Sequence, residues 1–487
     1  MQEDSFYKDV AKATIALIAV LAMCRLTLGG MAVIIGVVGL FAALMRKPAA
    51  TACCFIIFPL LVVFNRAIIG VDGLILLVSR FAFGLMVLAG ILSGTSSMLS
   101  RERLPIGWIL LYIAVSCISS IDGWMPLISY LKIFNFVLML LGLFLLTKVM
   151  QSTPRSLLVL RVMFMAISVV MIIGSLLVYF VPSVGYSMLL YKMEGYGVAV
   201  SAADFASSEG KVLFNGMTCH SQMLSPVVAC LGTWVLCDML LIERKPTILH
   251  GSILACVPVL LYMSRSRGGI LMLVCVIALT CLTTIPKARL PQWVKRKLGF
   301  AMLVATIGIG GVGIYFQVKN EAISRWIRKT DDIAADTRTL GEAFTSSRQF
   351  LIERNLRDFK LNPIIGKGFQ VTEDMEWLYN TGRITWFAAS VEKGVTPYVI
   401  LGEAGILGAL AFLIFLGAFY STCFRRGYMS LMTSFTCFLV ANLADSTIFS
   451  PSGLGGFMWM VACVGSFSTD CLAKRLHQQR SYGLEMV

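Results

Sequence analysis

LLYMSRSRGGILMLV, residues 260–274, sets four polar residues between two apolar runs, and two of the four are arginines. Followed outward, the upstream run extends over 247–263 and the downstream run over 268–285. Two apolar segments of helical length joined by so short a turn form a tight hairpin of membrane helices. The same pattern fills the chain. Of its 487 residues 58% are hydrophobic and 14% charged, and mean hydropathy is +0.83. A soluble domain keeps about a quarter of its residues charged. The expected fold class is therefore an all-α polytopic membrane protein.

Apolar windows place helices at about 10–25, 29–45, 49–64, 73–95, 106–121, 127–150, 156–182, 223–242, 247–263, 268–285, 299–317, 397–423, 428–449 and 454–470. The first two and 127–150 are the least regular, which gives an expected twelve to fourteen transmembrane helices. Several are near the lower limit for crossing about 30 Å of hydrocarbon. The opening MQEDSFYKDVAK lacks the basic n-region and small-residue cleavage site of a signal peptide, so the first run reads as a retained span. Nearly all of the 14 cysteines sit inside apolar runs, where they act as small hydrophobes. Cys219 alone lies in a long polar loop, so no disulfide framework is expected.

The net charge of +15 reports orientation rather than a nucleic-acid partner, because no RNP, zinc-finger or basic-zipper pattern accompanies it. Basic clusters occupy alternate connections: RKP at 46–48, SRERLP at 100–105, Lys148 to Arg155, ERKP at 243–246, PKARLPQWVKRK at 286–297, FRRG at 424–427 and AKRLHQQR at 473–480. All seven fall on one side when both termini are cytoplasmic, as the positive-inside rule requires. The chain then divides into N-terminal helices (1–182), a first long outer loop (183–222), central helices with the SRSRGG turn (223–317), a large outer loop (318–396) and C-terminal helices with a cytoplasmic tail (397–487). The large loop holds twelve basic and eleven acidic residues and an amphipathic stretch at 346–360, and is expected to form a small extracytoplasmic domain over the helices.

In that orientation Arg265 and Arg267 face the outer side, where the orientation rule disfavours them. Facing lipid at depth, each would cost about 2.5–3.5 kcal/mol on insertion scales. They call for an anion or an acidic partner. Other ionisable residues fall in the outer halves of spans: Arg66, Arg80, Lys132, Glu403 and Asp445. The excess of cations suits an anionic substrate, with phosphate the natural partner of arginine forks. Plainer readings stand beside this one. Arg66 and Lys132 are long enough to snorkel to the interface, and Arg80 has a structural partner on offer in Asp445 or Glu403.

Three further stretches carry a family likeness: FNGMTCHSQMLSPVVA (214–229), SSRQFLIERNLRDFKLNPIIGKGF (346–369) and SVEKGVTPYVILGEAGILGALAFLIF (390–415). In this order, with SRSRGG between the first and second, they resemble the O-antigen ligase/polymerase family of bacterial envelope glycosyltransferases. The likeness covers roughly residues 210–420. It implies a GT-C-like membrane enzyme in the bacterial inner membrane, acting on the periplasmic face in surface polysaccharide biosynthesis. A glycan would pass from a polyprenyl-pyrophosphate donor to a glycan or lipid acceptor, with neither cofactor nor metal. Other polysaccharide-assembly proteins are possible partners. The family's pyrophosphate-binding arginines correspond to Arg267 and Arg348, with Arg265 and Arg80 as additional candidates.

Ligases of the family carry a histidine where the second loop re-enters the membrane, and this chain reads Val391-Glu392-Lys393-Gly394. Glu392 is the candidate base in its place, since a partly buried carboxylate is competent; it reads equally as an ordinary loop charge. The departure weakens a lipid A core ligase reading and leaves open a polymerase or another acceptor. His220, Arg357, Arg383, Lys393, Glu403 and Asp445 are secondary candidates. His220, His250 and His477 are scattered over both faces and form no joint metal site. The rival class is a lipid-linked oligosaccharide flippase or exporter, for which repeated halves and interrupted helices would speak. A non-catalytic assembly protein is the third reading.

Overall fold

Pro48, Pro126, Pro154 and Pro397 each stand in the first turn of a helix. There the missing N–H costs no intrahelical bond and the fixed φ is already helical. Thr153 and Thr247 cap two helices by accepting the backbone N–H groups of Ser156 and His250. The computed structural model describes residues 3–27, 30–64, 73–93, 102–180, 198–199, 213–218, 221–243, 247–264, 267–285, 348–373, 394–443, 446–451 and 453–481.

In chain order the helices are α1 Glu3–Leu26, α2 Gly30–Leu44, α3 Pro48–Val63, α4 Gly73–Leu92, α5 Ile109–Ser119 and α6 Pro126–Gln151. There follow α7 Pro154–Ser168, α8 Gly174–Phe180, α9 Ser221–Leu241, α10 Ile248–Met263 and α11 Arg267–Leu279. The last group is α12 Gln349–Leu361, α13 Thr396–Arg426, α14 Met429–Ala441, α15 Leu454–Met460 and α16 Phe467–Ser481. Single π turns join α7 to α8 and α15 to α16, so each pair runs on as one rod. A two-residue parallel pair, Val198–Ala199 with Leu213–Phe214, accompanies them.

Among the described residues, five helices can cross a membrane by length and composition: Pro126–Gln151, Pro154–Tyr179, Gln222–Leu241, Thr396–Arg426 and Leu454–Gln479. Seven shorter apolar helices lie among them. The expected helix at 428–449 ends early, at Ala441. Asn442 stops it: its Oδ1 accepts from the backbone N–H groups of Thr447 (2.6 Å) and Ile448 (2.7 Å) and turns the chain. The expected helix at 299–317 and most of both long loops lie outside the described residues.

Packing distinguishes the two ends of the bundle. At one end the Thr396 N–H donates to Asn442 O, Ser129 Oγ to Phe369 O, and Phe64 pairs with Thr218. At the other, Lys474 bonds Glu102 (2.9 Å) and Arg475 donates to Gln151 O (2.5 Å). The Asp470 carboxylate there accepts the Ser430 and Leu431 amides at the start of α14, both at 2.9 Å. A helix N-terminus is a ready site for a buried anion. Arg426, beside Glu102, joins Lys474 and Arg475 in making this the basic end.

Candidate functional site

Helix α13 is broken. Gly405, nine residues in, has φ 62° and ψ −160°, a conformation open in practice to glycine alone. A break there frees backbone groups deep in an apolar helix, where water cannot satisfy them. The Asn-Pro-x-x-Gly-x-Gly loop that follows α12 satisfies them instead. The Ile406 and Leu407 N–H groups donate to Pro363 O (2.9 Å) and Ile364 O (3.1 Å). In return Lys367 and Gly368 donate to Gly402 O (2.9 Å) and Glu403 O (3.1 Å). The two segments interlock through four backbone bonds. Gly366 (φ 75°) and Gly368 (φ 105°) supply the left-handed turns, and a Cβ on Gly366 would collide with the Glu403 carbonyl group.

Serines from α5 and α6 finish the seat. Ser119 Oγ donates to Glu403 O and accepts from Gly368 N (2.9 Å). Ser120 Oγ accepts from Phe369 N (3.3 Å) and lies 2.8 Å from Ser129 Oγ, which donates to Phe369 O (2.8 Å). Below, the Phe369 ring meets Phe136, Phe449 and Tyr112 at centroid separations of 6.1, 5.8 and 6.4 Å. Helix α12 lies along the start of α13, where Asn355 O would meet a Cβ on Gly402 at 2.9 Å.

This centre collects several residues singled out by sequence. Glu403 is buried at 2% exposure, next to the break. Arg348 is the half-buried N-cap residue of α12. Arg357 lies on the exposed face of α12, 3.8 Å from Glu373. The Lys132 ammonium donates to Gln370 O at 2.7 Å and closes the loop. Arg267 opens α11 and Arg80 lies within α4, each described by its backbone alone. Arg265, His220, Arg383, Glu392, Lys393 and Asp445 lie outside the described residues, so the meeting of Arg267, Arg348 and Glu392 does too.

Sequence reasoning missed the buried polar face of α12: Arg354, Asn355 and Asp358. Their i, i+1, i+4 spacing is a helical face and was available to be read. It also missed a second polar centre, at the basic end. Arg161 of α7 donates Nε to Asp238 Oδ1 (2.9 Å) and Oδ2 (3.0 Å), Nη2 to Oδ2 (2.9 Å), and Nη2 also to Glu243 Oε1. His250 Nε2 lies 3.0 Å from Asp238 Oδ2, and Thr247 Oγ1 2.5 Å from His250 Nδ1. A carboxylate only accepts, so Nε2 carries the proton. The Phe6 ring covers Arg161 at 4.2 Å, which brings α1 into the knot.

Asp238, Glu243 and His250 hold ligand atoms within 4.8 Å of one another, the spacing of a metal cluster. Arg161 already bonds both carboxylates, so the cation of this cluster is its guanidinium. Nearby at the same end, burial pushes the Glu102 carboxyl up, but the Tyr428 hydroxyl and Lys474 ammonium outweigh it and hold the group below its ordinary value. The described cysteines are free thiols. Comparison of the chain with protein-family models and with curated proteins found no match.

Proposed function

We propose that this chain is an integral membrane glycosyltransferase of the O-antigen ligase/polymerase type, GT-C-like, with twelve to fourteen spans. On this reading it lies in the bacterial inner membrane with both termini and the basic end cytoplasmic, and works on the periplasmic face in surface polysaccharide biosynthesis. The observation that carries the proposal is the interlock. Stretches 346–369 and 390–415, which bear the family likeness, meet through backbone bonds between Pro363–Gly368 and Gly402–Leu407. That likeness thus gains a physical basis, since its glycines stand where the two segments need them.

The acceptor hydroxyl oxygen attacks the anomeric carbon of the donor, and the bond from that carbon to pyrophosphate breaks. The hydroxyl proton passes to Glu392, and polyprenyl pyrophosphate leaves with the bonding pair. Arg265, Arg267 and Arg348 stabilise the charge that develops on it, as preorganised guanidinium groups do in a dry site. A lipid-linked oligosaccharide exporter is the second reading. The broken α13 favours it, because interrupted helices mark substrate sites in transporters.

The deciding experiment reconstitutes the protein in liposomes with a polyprenyl-pyrophosphate oligosaccharide and candidate acceptors, with Arg267→Ala alongside. Longer lipid-linked chains, lost in the variant, mean polymerase; transfer onto another acceptor means ligase. Glycan that crosses the bilayer chemically unchanged overturns the enzyme reading in favour of the exporter.

A further inference from the structure

The loop that fills the break in α13 has an outer side. Leu361 and Ile364 are 57% and 61% exposed, and Pro363 between them is exposed too. Ile364 shares a backbone bond with Leu407, and Pro363 shares one with Ile406. Ile406 and Leu407 are themselves exposed and begin a strip that continues down α13 through Leu410. An apolar strip on the outside of a membrane-crossing helix faces lipid. The exposed side of the loop is continuous with that strip.

Depth agrees. Past the break at Gly405 the helix runs on for about 21 residues to Arg426, about 31 Å, against about 30 Å of hydrocarbon. Leu407 then lies at the edge of the hydrocarbon, with Arg425 and Arg426 at the opposite edge, and Ile364 lies beside Leu407. Irregular backbone is tolerated at that depth only when its polar groups are satisfied within the protein. The bonds to α13 and to Ser119, Ser120 and Ser129 do this for the loop. Arg357 and Lys360 are exposed on α12 just before it, in the order expected of an amphipathic helix entering the headgroup layer.

We propose that residues 361–364 form a re-entrant, lipid-facing edge whose partner is the acyl-chain layer of the bilayer, with Arg357 and Lys360 at the phosphate level. The proposal is independent of the glycosyl-transfer reading. It is tested with the full-length protein carrying p-benzoylphenylalanine in place of Ile364, Leu361, Leu410 or Glu353. Each variant is reconstituted in phosphatidylethanolamine–phosphatidylglycerol vesicles, irradiated and weighed intact.

The expected result is one added phospholipid at Ile364 and Leu361, at yields comparable to Leu410, and none above background at the exposed, polar Glu353. Adducts at Leu410 with none at Ile364 or Leu361 overturn the proposal. So does capture of a second copy of the chain at Ile364, which would make the edge a protein interface. Should the Ile364 variant fail to fold, Leu361, which lies before the interlocking bonds, reads the same surface.

Discussion

Asp238 and Glu403 are both acidic residues buried in long apolar helices, at 0% and 2% exposure, yet their surroundings differ in kind. Around Asp238 the backbone is regular and the side chains do the bonding. Arg161, His250 and Glu243 close a network that ties α7, α9 and α10, with Phe6 bringing in α1. Around Glu403 the backbone itself is opened, and its carbonyl is bonded by Ser119 and by a loop from elsewhere in the chain. A closed knot of opposite charges resists change. An open helix kept in place by a separate segment instead sets that segment, and the residues it carries, at a fixed depth. The basic end holds the bundle, and the broken helix presents α12 and its arginines.

The largest effect is expected at Asp238. Asp238→Asn leaves Arg161 short of its main counter-charge, and breaking a buried pair in this way costs about 3–5 kcal/mol. A large fall in the thermal unfolding midpoint in detergent is the expected outcome; an unchanged midpoint would mean that the network holds nothing. Next comes Gly405→Ala. Any Cβ there meets the Ile364 carbonyl group in a backbone conformation that side chains avoid, so a loss of about 3 kcal/mol is expected, read by the same midpoint.

The smallest effect belongs to Glu102, whose bonds to Tyr428 and Lys474 are partly exposed. Exposed pairs contribute roughly 0.2–1 kcal/mol. Because its folded pKa is lowered, the stability it adds is full above the ordinary glutamate value of about 4.3 and fades as pH falls through the lower, folded value. Midpoints of wild type and Glu102→Gln should therefore differ slightly at neutral pH and converge in acid.

Much of the fold was legible, because hydrocarbon imposes length and apolarity on every crossing helix. Runs at 127–150 and 397–423 reappear as Pro126–Gln151 and Thr396–Arg426, and the amphipathic stretch at 346–360 as Gln349–Leu361. What escaped reading was non-local. Arg161 and Asp238 are 77 positions apart, and nothing in either helix announces the other. The glycines of GEAGILG show small residues at helical spacing, but not that Gly405 breaks the helix, because the break depends on a loop some forty residues upstream to satisfy it. Asn442 was legible as a turn residue and was passed over inside an apolar run. The candidate site was half legible: Arg348 and Glu403 were named from sequence, whereas the buried Arg354 and Asp358 were not.

The most direct measurement takes donor turnover and thermal midpoint on the same reconstituted preparations of Arg348→Ala and Asp238→Asn. The expected result is a split. Arg348→Ala keeps its midpoint and loses turnover, while Asp238→Asn loses midpoint but keeps turnover per folded molecule. Turnover that survives in Arg348→Ala, or vanishes in folded Asp238→Asn, would contradict the assignment of chemistry to the broken helix and of stability to the basic end.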